Sequence, residues 1–369
     1  MQAERRQFLD WMTGAFLSVS SVSFAQTAKP EVARTFNPSV GQWKTFDVTT
    51  RVNLLKPHGK TRLWVPIPGL TTGWQKTVAN SHSSNGNTRV HRDTLEGTLM
   101  MFSEFDASVD NPYIEITSRV MTQNRSLEQT EALKPEHPNA LKHFVRATRL
   151  IPTDGIVLQT ALEITRSAKT DLEKVSAIYE WVVLNAWRDS TVMGCGEGDI
   201  QSMLVTGNLG GKCADINALF VGLCRAVGIP ARDVYGLRVA PSAFGYKELS
   251  ANPSKLQSAQ HCRAEVYVQG RGWLAMDPAD VTKVMRQETA EWLRQPLHPV
   301  VAPVYKGLFG GWEGNWIGLN TAHDVLLPQF SRQRISFLMY PVAEDEEGRL
   351  DSYAPDHFQY RITSQEVTS

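Results

Sequence analysis

LGGKCADINALFVGLCRAVGIPARDVYGLRV occupies residues 209–239. Gly210 and Gly211 make a turn that delivers Cys213 to the start of a predicted helix. Ile216, Leu219, Phe220, Leu223 and Val227 recur at the spacing of one helix face. Gly228-Ile229-Pro230 then stops the helix, and a strand is expected near 232–240. The position of Cys213 carries chemical weight. Unpaired backbone N–H groups and the helix dipole stabilise an anion at a helix start, which lowers a thiol's pKa. The same N–H groups can receive the oxyanion of a tetrahedral intermediate. Gly211 has no Cβ, so the backbone can approach a substrate closely there.

A thiol nucleophile needs a base and a group that orients the base. AQHCRAEVYVQGRGWLAMDPAD, residues 259–280, offers both. In a strand over 261–269, His261, Arg263, Glu265 and Tyr267 share one face, and Cys262, Ala264, Val266 and Val268 share the other. The first face is polar, which puts His261 on the solvent or cleft side. Gln269-Gly270-Arg271-Gly272 reads as a hairpin turn. The return strand, 272–277, brings Asp277 beside His261, the arrangement in which a carboxylate fixes an imidazole tautomer. Arg263 either reaches an anionic substrate group or pairs with Glu265 or an aspartate at the cleft wall. The pairing is the reading preferred here.

Three blocks of residues now stand in order: Cys213-x-Asp215-x-x-x-Leu219-Phe220, Arg225-Ala226-x-Gly228-Ile229-Pro230-Ala231-Arg232, and His261-x-x-x-Glu265-Val266-Tyr267 with Gly272-Trp273-x-x-x-Asp277-Pro278. Together they resemble the transglutaminase-like superfamily. The resemblance implies a papain-like core over roughly 140–325, with Cys213, His261 and Asp277 as its triad. Bacterial sequences of this kind often carry an N-terminal β-domain, a place that 42–125 would fill. Arg263 departs from the pattern, since many relatives have an aromatic residue there. Some relatives also use an upstream aromatic to donate toward the oxyanion. Trp187 is the candidate for that role here, with packing as the preferred alternative.

Around this centre, the chain reads as α+β. Short strand-like runs at 61–68, 88–92, 97–102 and 113–121, broken by turn residues, suggest a small β-sandwich over 40–126. Helices are expected at 139–149, 156–168 and 170–187, the last capped by Thr170. A papain-like core, a cysteine-bearing helix packed on an antiparallel sheet, is expected over 139–325. A C-terminal β extension, 326–369, holds strand-like runs Ile335–Met339 and Phe358–Ile362 around an acidic loop, Glu344 to Glu347. The 369 residues agree with about two domains of roughly 100–200 residues each.

The first residues read as an address. Arg5-Arg6 precede an apolar run from Trp11 to Phe24, and Ser23-Phe24-Ala25 offers small residues for a signal peptidase. The arginine pair resembles a twin-arginine signal, although Glu4 and Asp10 depart from it. The run is shorter than the roughly 20 apolar residues that span a bilayer. Residues 1–25 are therefore expected to be a cleaved signal, leaving a mature protein in the periplasm or outside the cell, with no stable membrane span.

Lys plus Arg and Asp plus Glu are equal at 38 each, so no general attraction to nucleic acid exists. Cys195, Cys213, Cys224 and Cys262 are too few for a disulfide scaffold. Cys224 falls on the helix stripe and is expected in the core. Cys195 sits in the glycine loop 194–199 and is a cleft candidate. A Cys195–Cys262 disulfide is chemically open in an oxidising compartment. No C-x-x-C pair marks a zinc site, and neither metal nor cofactor is expected. The expected activity is thiol-dependent acyl transfer on a peptide or protein substrate, with hydrolysis of a peptide or amide bond preferred. The alternatives are a protein-glutamine amine cross-linking transferase and a non-catalytic peptide-binding module of the cell envelope.

Overall fold

The computed structural model describes residues 34–127, 136–331 and 334–367. The expected export signal lies outside the described residues. Along the chain come β1 (Lys44–Leu54), β2 (Thr61–Pro66), β3 (Gln75–Ser84), β4 (Asn87–Arg92), β5 (Leu99–Phe105) and β6 (Tyr113–Thr122). Then follow α1 (Pro138–His143), α2 (Gly155–Thr165), α3 (Asp171–Asn185), β7 (Trp187–Arg188), α4 (Ile200–Thr206), β8 (Gly210–Gly211) and α5 (Cys213–Ala226). The chain continues through β9 (Ala231–Arg238), β10 (Gln260–Val268), β11 (Gly272–Met276), α6 (Pro278–Gln287), α7 (Ala302–Gly307), β12 (Phe309–Gly310) and β13 (Trp316–Asn320). It ends with β14 (Val342–Asp345), β15 (Gly348–Leu350) and β16 (Phe358–Val367).

Two antiparallel sheets, ordered β16-β1-β6-β3 and β15-β14-β2-β5-β4, share one apolar core. Val52 and Ile116 come from the first sheet, Leu63 and Met101 from the second. The tail is part of both: β16 pairs with β1 and β14 pairs with β2. The tail differs from expectation in detail. Ile335–Met339 forms only a bridge at Ile335. The acidic run begins inside β14, because Glu344 pairs with Arg62 across the ladder and Asp345 accepts the turn amides of Glu347 and Gly348.

The other sheet, ordered β12-β11-β10-β9-β13, carries the helices. Its core contains α5, buried on all sides from Cys213 to Arg225. Burial all round explains why the apolar stripe runs wider than one helix face. Helix α3 begins as its sequence predicts. The Thr170 hydroxyl accepts from the Glu173 amide at 3.2 Å, and the Glu173 carboxylate accepts from the Thr170 amide at 3.0 Å. Among the helices, α1 is shorter than the expected 139–149.

Candidate active site

Cys213 stands at the first position of α5. Asp215, two residues on, accepts backbone N–H bonds from Lys212, Glu197 and Gly198, each at 2.9 Å. One carboxylate thus caps the helix and pins the glycine loop beside it. The loop needs its glycines. At Gly196 the backbone has φ +89°, and a Cβ would fall 1.8 Å from Asp215 Oδ2. Gly211 is explained the same way, since its Cβ would meet the Asp215 Cβ at 2.6 Å. Its smallness makes room for Asp215, a packing reason that stands beside the expected approach of substrate to its backbone.

The pinned loop brings Cys195 against Cys213. Cys195 Sγ receives a hydrogen bond from the Tyr340 hydroxyl at 2.9 Å and lies 3.3 Å from the Gln260 carbonyl, a second acceptor for its single proton besides Cys213. Cys213 is hydrogen-bonded to Cys195, Cys262 and His261. The bond from Cys195 is the largest influence on Cys213, then that from Cys262. With His261 they outweigh burial and hold the Cys213 thiol well below its usual range. Cys195 and Cys262 are pushed up correspondingly. All four cysteines are free thiols, so Cys195 and Cys262 are not joined. Both instead turn toward Cys213. Cys224 is a buried thiol in the core, as its place on the stripe predicts.

His261 lies on β10 and lines the cavity that also holds Cys213. Its Nε2 is 2.8 Å from Asp277 Oδ2, which leaves Nδ1 for the thiol. Burial would lower the imidazole's pKa. Asp280 and then Asp277 outweigh it and raise His261 to about 10. Asp277 follows β11 and caps α6: its Oδ1 accepts from the Asp280 amide at 3.0 Å and, at 3.4 Å, from Asn217 Nδ2 on α5. The register pairs Ala264 with Met276, so one further step sets Asp277 opposite Arg263. Asp277 therefore reaches along the ladder to His261 from two positions away, where the hairpin reading placed the two side by side.

The polar face of β10 is internal along its length. Arg263 is buried with its Nε 3.5 Å from Asp277 Oδ2 and its guanidinium over Trp312 and Trp316. Of the two readings of Arg263, this is the carboxylate pair. Glu265 does not line the cleft. It is held between Arg125 and Arg232, with Arg232 Nε at 2.7 Å. Trp187 also stands outside the cavity, its indole lying against Gly210. Both corrections have one cause: polar or aromatic character on an alternating strand marks the side chain's type and leaves its partner unspecified.

Three participants carry no local sequence signal. Asp280 Oδ2 lies 3.3 Å from His261 Nε2 and is ion-paired to Arg238. Asn217 ties α5 to the Cys262 carbonyl at 2.8 Å as well as to Asp277. Trp316 Nε1 donates to the His261 carbonyl at 2.9 Å. His261, Asp277 and Asp280 are close enough to face one ion, but Arg238 and Arg263 already supply their counter-charge. The set is therefore built as a hydrogen-bonded charge network.

Comparisons with known proteins agree with this architecture. A family model for the transglutaminase-like superfamily matches residues 158–278. An uncharacterized protein of Haemophilus influenzae is 33% identical over 347 residues, covering 87% of this chain and 91% of that protein. The uncharacterized protein YebA of Bacillus subtilis is 24% identical over 243 residues, 62% of this chain and 30% of YebA. A solved structure from Cytophaga hutchinsonii, whose description proposes a cysteine protease, shares the fold: TM-score 0.56, 15% identity, 90% of this chain and 93% of that one. The class is a mixed α+β thiol-enzyme fold with antiparallel sheets. The chain belongs to the transglutaminase-like superfamily.

Proposed function

We propose that this protein is an exported thiol-dependent acyl-transfer enzyme that hydrolyses a peptide or amide bond. One observation carries the reading. A thiol at a helix start is hydrogen-bonded to an imidazole whose other nitrogen rests 2.8 Å from a buried carboxylate. The Cys213 thiolate attacks the substrate carbonyl carbon. The oxyanion meets the Cys213 backbone N–H; its neighbours Lys212 and Ala214 already donate to Asp215 and to the Cys195 carbonyl. The C–N bond breaks as His261 gives its proton to the leaving amine, and a thioester remains. Water then attacks the thioester while His261 takes its proton, releasing the acid and restoring the thiolate–imidazolium pair. Asp277 holds the imidazole's orientation and charge throughout. Water is preferred over an amine as second nucleophile because it is the abundant acceptor.

The test supplies a glutamine-containing peptide and a labelled primary amine, and follows ammonia, peptide cleavage and amine incorporation together. Ammonia or cleavage products without incorporation support hydrolysis. Dominant incorporation points to the cross-linking transferase. Iodoacetamide labelling of Cys213 no faster than a free thiol, unchanged by His261→Ala, returns the chain to the non-catalytic alternative. Export rests on residues 1–25. The mature N-terminus near Gln26, lost on replacing Arg5 and Arg6 by lysine, is the expected result for the twin-arginine route. Among the described residues no helix is long and apolar enough to cross a membrane.

A further inference from the structure

The cavity beside Cys213 and His261 has a volume of about 350 Å³. Four cations line it: Arg188, Arg238, Lys255 and Lys283. No aspartate or glutamate does. Two of the four are matched from behind. Arg238 is paired with Asp280, and Lys283 lies 3.3 Å from Glu248 Oε2. Arg188 and Lys255 have no carboxylate partner among the described residues. Arg188 Nε is also buried without a hydrogen-bond partner, and a buried donor left unmade is costly enough that it calls for an acceptor.

Their positions are informative. Arg188 pairs with Gly211 in the β7–β8 ladder, two residues before the nucleophile. Lys255 stands on the segment that leads into β10, six residues before the base. The two unmatched cations therefore belong to the two segments that deliver Cys213 and His261. Arg188 offers a planar fork that fits a carboxylate, and Lys255 adds a mobile point charge.

We propose that this cleft takes an acyl substrate bearing a carboxylate close to the scissile bond, bound by Arg188 and Lys255. The inference rests on Cys213 being the nucleophile. It names the substrate class that the proposed hydrolysis leaves open.

The probe is a matched pair of alkylating agents on the full-length protein. Iodoacetate and iodoacetamide each lose iodide to a thiolate as the S–C bond forms, and they differ by one negative charge. Both rates are measured at Cys213 by peptide mass spectrometry, with 2-mercaptoethanol as the reference thiol. The iodoacetate-to-iodoacetamide ratio is expected to exceed the reference ratio by about tenfold at low salt, and to fall as salt is added. Arg188→Gln and Lys255→Gln should each lower it about threefold or more. Lys306→Gln, an exposed cation away from the cavity, should not. Fast iodoacetamide labelling with a reference-like ratio overturns the anion site alone. Slow iodoacetamide labelling overturns the thiolate reading beneath it. A second arm measures protection of Cys213 by acetyl-dialanine, by acetyl-glutamic acid α-amide and by acetyl-dialanine amide. Protection by either acid above the neutral amide supports the proposal; the first identifies a chain-terminal carboxylate and the second an acidic side chain. Equal effects of all three overturn it.

Discussion

His261 Nε2 lies 3.3 Å from Asp280 Oδ2, so a second carboxylate faces the imidazole nitrogen that Asp277 already holds. The two acids share their buried site unequally. Asp280 is pulled down by Arg238 and His261 despite burial, while burial and then Asp280 raise Asp277. Asp280 thus contributes a firmly held negative charge beside the imidazolium, and Asp277 supplies the shorter hydrogen bond. Asp280→Asn removes that charge, so the His261 proton is held less tightly. The alkaline limb of a pH–rate profile, set by a group near 10, should move down by about one unit or more. An unmoved limb in a variant that keeps its unfolding temperature would count against this division of roles.

The acid limb belongs to Cys213. Its thiol is held low first by Cys195, so the thiolate is favoured over that of an ordinary cysteine. Cys195→Ala removes that donor, and the apparent thiol pKa should climb toward the ordinary value. Each unit of rise costs about tenfold in iodoacetamide labelling at a pH below the new pKa. Labelling between pH 4 and 9 in wild type and variant reads the shift directly. His261→Ala should move it the same way, because a positive neighbour is lost.

Glu265 provides a contrast. It is buried between Arg125 and Arg232, away from the thiol. Glu265→Gln leaves two buried guanidinium groups without their counter-charge and should cost about 3–5 kcal/mol of stability. Denaturant unfolding measures the loss. At temperatures where the variant is folded, Cys213 labelling should match wild type.

Asp215→Ala strips three backbone N–H groups of their acceptor at once. A loss of about 2–4 kcal/mol is expected, together with slower Cys213 labelling as the glycine loop and the helix start separate. Gly196→Ala should reproduce the labelling defect by forcing the same loop off the carboxylate. Thermal unfolding alongside labelling separates the two effects.

The core of the site was legible because its signals are local. Two glycines before Cys213, an apolar stripe after it and the Trp-to-Asp return strand are each short-range patterns. Arg238, Asn217 and Asp280 escaped because their partners lie from 19 to 62 residues away in the chain, and nothing beside them in sequence distinguishes them from surface residues. Alternation on β10 sorted polar from apolar side chains correctly. It misled for Glu265 because a face matched by buried arginines looks the same in sequence as a face turned to a cleft. β3 went unread for the opposite reason. Its residues QKTVANSHSS are mostly exposed, so the strand shows no apolar alternation. β13 shows no alternation either, because Trp316–Asn320 is buried on both faces.

The pairing of β1 with β16, over ten residues from Thr45↔Val367 to Leu54↔Phe358, has a consequence for how the molecule comes into being. Until the tail emerges, β1 and β2 each present a bare hydrogen-bonding edge, and bare edges invite pairing with other chains. The N-terminal sheets therefore cannot be finished in the order of synthesis. They wait for more than two hundred intervening residues, and such long-range closure is slow. The sheet that carries His261, by contrast, is completed between β9 and β13 without a strand from the tail. Truncation near residue 340 should accordingly leave a chain that loses the Tyr340 bond to Cys195 and aggregates through its opening strands.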